Sequence, residues 1–172
     1  MVQHGLRKDP TTMYDAFGPV LGRIPSGLFI LSARGPGGEE TAMLASWVQQ
    51  ASFAPPAVTV AVNAKRYLRE WLVPGATAAL SLIGETQKSV LGHFGKGFDP
   101  GEPAFEGIAI DRSPAGQAVL QDALGWIEGE VTAAIDAGDH HVILLKLTAA
   151  AEGPRLAAER PWVHVRKNGL HY

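Results

Sequence analysis

The chain has 172 residues, 46% of them hydrophobic and 19% charged, with a formal net charge of −2 and no cysteine. That length and balance predict a single globular domain, 1–172, with a real core. The charge excludes a nucleic acid or an anionic membrane recruited by bulk electrostatics, and the missing thiols exclude disulfides and thiolate metal sites.

The N-terminal stretch MVQHGLRKDPTTMYDAFG has no apolar core of signal-peptide length, and apolar runs such as 142–145 are too short to span a bilayer. The expectation is a soluble, cytoplasmic protein with no membrane partner. From there the chain reads as short strands broken by Gly and Pro. GLFILSA (27–33), the turn-rich RGPGGEE and TAMLASWV (41–48) predict two strands in a hairpin. PPAVTVAVN (55–63) alternates, with Val58, Val60 and Val62 on one face. AKRYLREWL (64–72) predicts a helix that gathers Tyr67, Leu68, Trp71 and Leu72 and stops at Pro74-Gly75. ATAALSLIG (76–84) is another strand, and ETQKSVLGH (85–93) a second helix carrying Val90 and Leu91. GKGFDPGEPAFEG (95–107) is a long Gly/Pro-rich loop, of a length that is often functional.

WIEGEVTAAIDA (126–137) alternates again, with Ile127, Val131, Ala133 and Ile135 inward and Glu128, Glu130 and Thr132 outward. HVILLKLTAA (141–150) pairs with it as a hairpin, and Asn168-Gly169 in WVHVRKNGLHY predicts a terminal hairpin holding His164 and His171. About seven short strands, two helices and no βαβ rhythm predict an antiparallel, mainly β barrel or sandwich.

Charge separates the two helices. The second follows the helix dipole, with Glu85 at its start and His93 and Lys96 at or just past its end. The first opposes it: Asn63 is a good cap, yet Lys65 and Arg66 follow in the first turn. Free N–H groups and two cations would suit a phosphate; a short helix with its cations in water accounts for the same residues. Just upstream, TAMLASWVQQASFAPP (41–56) is rich in small and hydroxyl residues, among them Thr41, Ala45, Ser46 and Ser52. Such residues let a planar ligand approach the backbone, with Trp47 stacking nearby, although a tight barrel interior uses the same residues.

Taken in order, GRIPSGLFILSA, TAMLASWVQQASFAPPAVTVAVNAKRYLREWL and AGDHHVILLKL resemble the flavin reductase-like family of FMN-binding split barrels. LASWVQQASFAPP and HFGKGFDPGEPAFEG are similar to the flavin reductase domain appended to some flavodiiron proteins of photosynthetic microbes. The resemblance implies an antiparallel, Greek-key split β-barrel with a few short helices, and a homodimer with FMN near the subunit interface. It implies that Thr41 to Val48, including Ala45, Ser46 and Trp47, line the isoalloxazine edge. Ser52 would sit near the ribityl chain, Asn63, Lys65 and Arg66 would hold the phosphate, and His93 and Phe94 would lie beside the flavin.

Gly138, Asp139 and His140 match the Gly-Asp-His signature of the members that use NAD(P)H. In those relatives the histidine lies near the nicotinamide, so the resemblance gives His140 the catalytic place, positioning hydride transfer to flavin N5 while the flavin carries the redox chemistry. Two positions depart from the pattern: Leu145 stands where relatives often have glycine, and Lys65 and Arg66 where many have Ser and Thr.

The function implied is that of an NAD(P)H:flavin oxidoreductase passing electrons to free flavin, a partner monooxygenase or another redox acceptor. FMN is the expected flavin, with FAD or an exchangeable flavin as alternatives; the residues do not choose between NADH and NADPH. An FMN-binding electron-transfer module fed by another protein is the second reading, and a split barrel without cofactor the third. No metal site is expected, because His140 and His141 point to opposite faces of a strand. His141 reads as a polar cap at the strand start.

Overall fold

The computed structural model describes residues 10–171, which fall into two compact units, 10–26 with 163–171, and 27–162. In the first unit, α1 (Pro10–Leu21) is an element that the sequence pattern does not assign. The short strands β1 (Ser26–Gly27) and β11 (Val163–His164) form a two-stranded sheet. The expected terminal hairpin is absent among the described residues. Asn168 instead closes a local turn, its Oδ1 accepting the Leu170 N–H at 2.8 Å. The Gly169 N–H goes to the Gly18 carbonyl, and the Arg166 N–H to that of Gly22. Asn-Gly therefore serves the end of α1, whose last carbonyls need donors.

The second unit is built on a seven-stranded antiparallel sheet. Its strands are β2 (Phe29–Arg34), β3 (Glu40–Ala45), β4 (Val48–Phe53), β5 (Pro56–Asn63), β6 (Thr77–Leu82), β9 (Gly125–Asp136) and β10 (His140–Glu152), ordered β3-β2-β6-β9-β10-β5-β4. The edge strands β3 and β4 are consecutive in the chain and share no ladder among the described residues. Only Ser46 and Trp47 separate them, and the Trp47 carbonyl accepts the Ala61 N–H from β5. The barrel is thus mainly β and split, as expected, and the split falls at Trp47.

Its interior collects Leu31, Met43, Val58, Val60, Val62, Leu80, Val131, Ile143 and Leu145. Each such side chain withdrawn from water contributes roughly 1.5–3 kcal/mol. A second cluster, with Leu28, Ile30, Ala42, Ile83 and Phe94, covers the other face of β2 and β3. Burial on both faces explains why GLFILSA is a continuous apolar run rather than an alternating one. A small sheet of β7 (Ile110–Arg112) and β8 (Ala118–Leu120) completes this layer.

Three expectations change. The first helix shrinks to a 3-10 helix, Tyr67–Trp71, that keeps Leu68 and Leu72 in the core. Arg66 is its extended cap residue, so Lys65 and Arg66 precede the helix and meet no helix dipole. Asn63 caps the turn before it, its Oδ1 accepting the Lys65 N–H at 2.9 Å. The second helix, α2, runs Lys88–Gly95 and leaves Glu85 outside, because Thr86 and Glu85 are drawn to Glu159 and Arg160 by hydrogen bonds. In β9 the alternation breaks at Thr132, an extra residue between the pairs Leu144–Ala133 and Leu145–Val131. A bulge shifts the side-chain phase, leaving Ile135 61% exposed. Glu128, expected outward, is 2% exposed beneath the 113–117 loop and accepts bonds from the Ser113 hydroxyl and the Ala115 N–H.

Candidate functional site

The site forms where three chain segments meet at the split. β10 begins at His140, which pairs with Asn63, the last residue of β5. The connection from β9 is a tight turn: Asp136 Oδ1 accepts the Gly138 N–H at 2.8 Å, and Gly138 has φ +95°, a conformation glycine adopts freely. The next carbonyl, of Asp139, accepts the Ala64 N–H at 2.9 Å and fastens this turn to the 63–66 segment. The third segment is the Ser46–Trp47 link.

His140 is only 7% exposed although its register with Asn63 puts it on the outer face of the sheet. Its ring lies 4.8 Å from the Trp47 indole, tilted by 43°. Nδ1 is 2.8 Å from Asp139 Oδ1, whereas Nε2 is buried and has no partner among the described residues. The hydrogen bond from His140, then the attraction of that ring and, more weakly, of Lys65, holds the exposed Asp139 carboxyl below its ordinary range. Asp139 is therefore an ionised acceptor at neutral pH, and the proton between them sits on Nδ1. An unsatisfied buried nitrogen costs about 1–3 kcal/mol, so the fold holds His140 in a state that a ligand's polar group would relieve.

A second locus lies at the end of α2. Arg66 sends its guanidinium there, Nη1 donating to the Lys96 carbonyl at 3.4 Å and filling the space beside Gly97. Thr41, Arg66, Gly97 and Phe98 line a narrow cleft at this point. His93 Nε2 donates to the Ala104 carbonyl at 2.8 Å, tying the 97–107 loop back to the helix, and its ring packs on Phe94 and Phe98. Phe94 is wholly buried in the second cluster and presents no side-chain surface here.

The expected residues are thus gathered in part. Trp47, Asn63, Gly138, Asp139 and His140 meet at one corner, with Ser46 and Val48 flanking Trp47, half-buried. Lys65 is exposed beside Asp139, and Arg66 bridges toward the second locus. Ala45 turns into the core, and Thr41, four residues earlier on β3, is about 13 Å away at the usual strand rise. Ser52 pairs with Ala57, so it lies about 20 Å along β5 from Asn63. Leu145 faces the interior, between Val58 and Val131, not the outer corner. Two residues escape sequence reasoning: Asp136, signalled only by an Asp two positions before a glycine, and Gly97, one glycine among several in its loop. No cluster of three or more metal-ligating side chains occurs among the described residues.

Residues 21–169 match the family described as flavin reductase like domain, and the chain belongs to it. Diflavin flavoprotein A 1 of Synechocystis sp. is 39% identical over 157 residues, 88% of this chain and 26% of that protein. The chain therefore spans about a quarter of the length of such curated relatives. The NADH:FAD oxidoreductase SgcE6 of Streptomyces globisporus has the same fold, with TM-score 0.77 and 21% identity over 96% of this chain and 94% of that one. The styrene monooxygenase flavin reductase of Pseudomonas putida S12 gives TM-score 0.71 and 28% identity, covering 86% and 90%. No described helix is long and apolar enough to cross a membrane.

Proposed function

We propose that this flavin reductase family member oxidises NAD(P)H and reduces a bound flavin, FMN first, handing the electrons to free flavin, a partner monooxygenase or another acceptor. The observation that carries the proposal is His140: fastened through Nδ1 to Asp139, packed on Trp47, and left with a buried, unpartnered Nε2 at the split of the barrel. A flavin fits this chain because that orphaned nitrogen sits beside an aromatic ring and a turn of exposed polar groups. When bound, the flavin supplies N5 as hydride acceptor and a carrier for the two electrons.

The chain's own residues supply the rest. Ser46, Trp47 and Val48 would border the ring system, and Asn63, Lys65 and Arg66 would hold a phosphate, without help from a helix dipole. Gly138 lets the turn place Asp139 over the 63–66 segment, and Asp139 fixes the imidazole of His140 toward the nicotinamide. Packing by Trp47 excludes water from that face of the ring. Ser52 would join through a second copy, because it lies on an edge strand far from Asn63 in its own chain; a homodimer is part of the proposal.

A second reading, a flavin-binding electron-transfer module, draws on the diflavin flavoprotein relatives, in which this domain is a quarter of a longer chain. Steady-state oxidation of NADH and NADPH with FMN, FAD or riboflavin separates the two. Turnover with either nucleotide supports the reductase, and tight FMN binding with no turnover supports the module.

A further inference from the structure

We infer that the cavity at the start of α2, at the other end of that helix from His93, binds a small zwitterion: a free α-amino acid with an apolar side chain.

Gln87 stands at the N-cap of α2 and is only 6% exposed. The Gly84 N–H donates to its Oε1 at 2.9 Å, which fixes the orientation of the amide. The NH2 group has no acceptor among the described residues. Gln87 lines a cavity of about 340 Å³ and Gly84 does not, so the NH2 end is the one turned into it. A buried donor without a partner costs free energy that a ligand's acceptor recovers. Ser89 and Val90 line the same cavity from the first turn of the helix, and their backbone N–H groups also lack acceptors among the described residues. Arg155 adds a cation, its Nη1 held by Glu159 at 3.1 Å and by the Thr86 hydroxyl at 3.4 Å. Such donors suit a carboxylate.

The lining also holds an acceptor. Asp122 lies in an exposed turn, closed by the Ala123 N–H on the Leu120 carbonyl at 3.3 Å, and forms no ion pair among the described residues. Glu159 already offsets Arg155, so Asp122 repels a simple anion and attracts an ammonium. Val90, Ile108 and Leu120 give the cavity an apolar wall. Donors for a carboxylate, an acceptor for an ammonium and an apolar wall in one cavity match an amino acid.

The test is isothermal titration of the protein as purified, with no nucleotide added, so its failure and that of the proposed reductase activity are separate outcomes. L-Leucine should bind with a Kd of about 1 mM or below, as for a ligand held by several charged hydrogen bonds. 4-Methylpentanoate, which is leucine without its ammonium, and inorganic phosphate should each bind at least about tenfold more weakly. Gln87→Glu keeps the acceptor for Gly84 but replaces the NH2 by an anionic oxygen, and should abolish leucine binding. Asp122→Asn, in an exposed turn that tolerates the change, should weaken leucine about tenfold and leave 4-methylpentanoate no weaker. No leucine binding up to about 10 mM, or phosphate binding as tightly as leucine, would overturn the inference. Leucine affinity unchanged by both Q87E and D122N would overturn it as well.

Discussion

The Trp47 indole and the His140 imidazole lie 4.8 Å apart although they come from the link between two edge strands that do not pair with each other and from the first residue of β10. The contact exists because the Trp47 carbonyl is anchored to Ala61 while His140 is paired with Asn63, two residues further along the same strand. A split in the barrel thus becomes a walled corner. Replacing His140 by Ala removes the fixed imidazole without touching the 63–66 segment. Flavin reduction by NADH in single-turnover mixing should slow about tenfold to 100-fold, as for a lost positioning group. The flavin dissociation constant should stay within about twofold, because the proposed role concerns the nicotinamide; a normal reduction rate would make His140 structural.

Arg66 is held by the Lys96 carbonyl against Gly97. If it serves the flavin phosphate, Arg66→Ala should weaken FMN about tenfold to 100-fold, the scale of a lost charged hydrogen bond. Riboflavin, which lacks the phosphate, should be little affected. Isothermal titration with the two flavins checks this, and equal losses would remove the phosphate from Arg66.

Leu145 is fully buried between Val58 and Val131. Leu145→Ala should therefore cost about 2–5 kcal/mol in denaturant unfolding, as for other buried leucines. Its effect on the NADH Michaelis constant should be small, since the side chain points away from His140. A large change in nucleotide affinity at unaltered stability would show that this position reaches the site.

Glu159 accepts hydrogen bonds from the Thr86 backbone and hydroxyl and pairs with Arg155 at 3.1 Å. The Thr86 bonds first, and Arg155 after them, hold its carboxyl below the ordinary value of 4.5. A lowered folded value means that folding favours the ionised form, so this stabilisation is complete above 4.5 and fades as pH falls through the lowered value. Glu159→Gln should lower Tm at pH 7, and the difference from the unaltered protein should shrink in stronger acid. A gap that persists or widens there would assign the effect to packing.

The strands were legible because their signals are local. Alternation marked Val58, Val60 and Val62, and the continuous run 27–33 marked a strand buried on both faces. What alternation could not show was Thr132, since a bulge is chosen by the pairing of two strands rather than by one of them. Asn168-Gly169 carried a true turn signal, but the partners of its backbone lie on α1, which only the folded chain reveals. Lys65 and Arg66 stood out as cations in a helix's first turn, but the helix starts after them at Tyr67, because the intervening turn is closed by Asn63 rather than by a helical ladder. His140 and Asp139 were singled out as candidates by resemblance alone; the orphaned Nε2 and the Trp47 wall depend on a corner that brings together residues 47, 63 and 140.

The central claim is most directly tested by an anaerobic visible spectrum of the purified protein with one equivalent of FMN, to which NADH and then NADPH are added. The account predicts a perturbed flavin spectrum on binding, followed by bleaching of the oxidised-flavin band with one of the two nucleotides and a much slower loss in His140→Ala. A flavin that binds and stays oxidised with both nucleotides would contradict it.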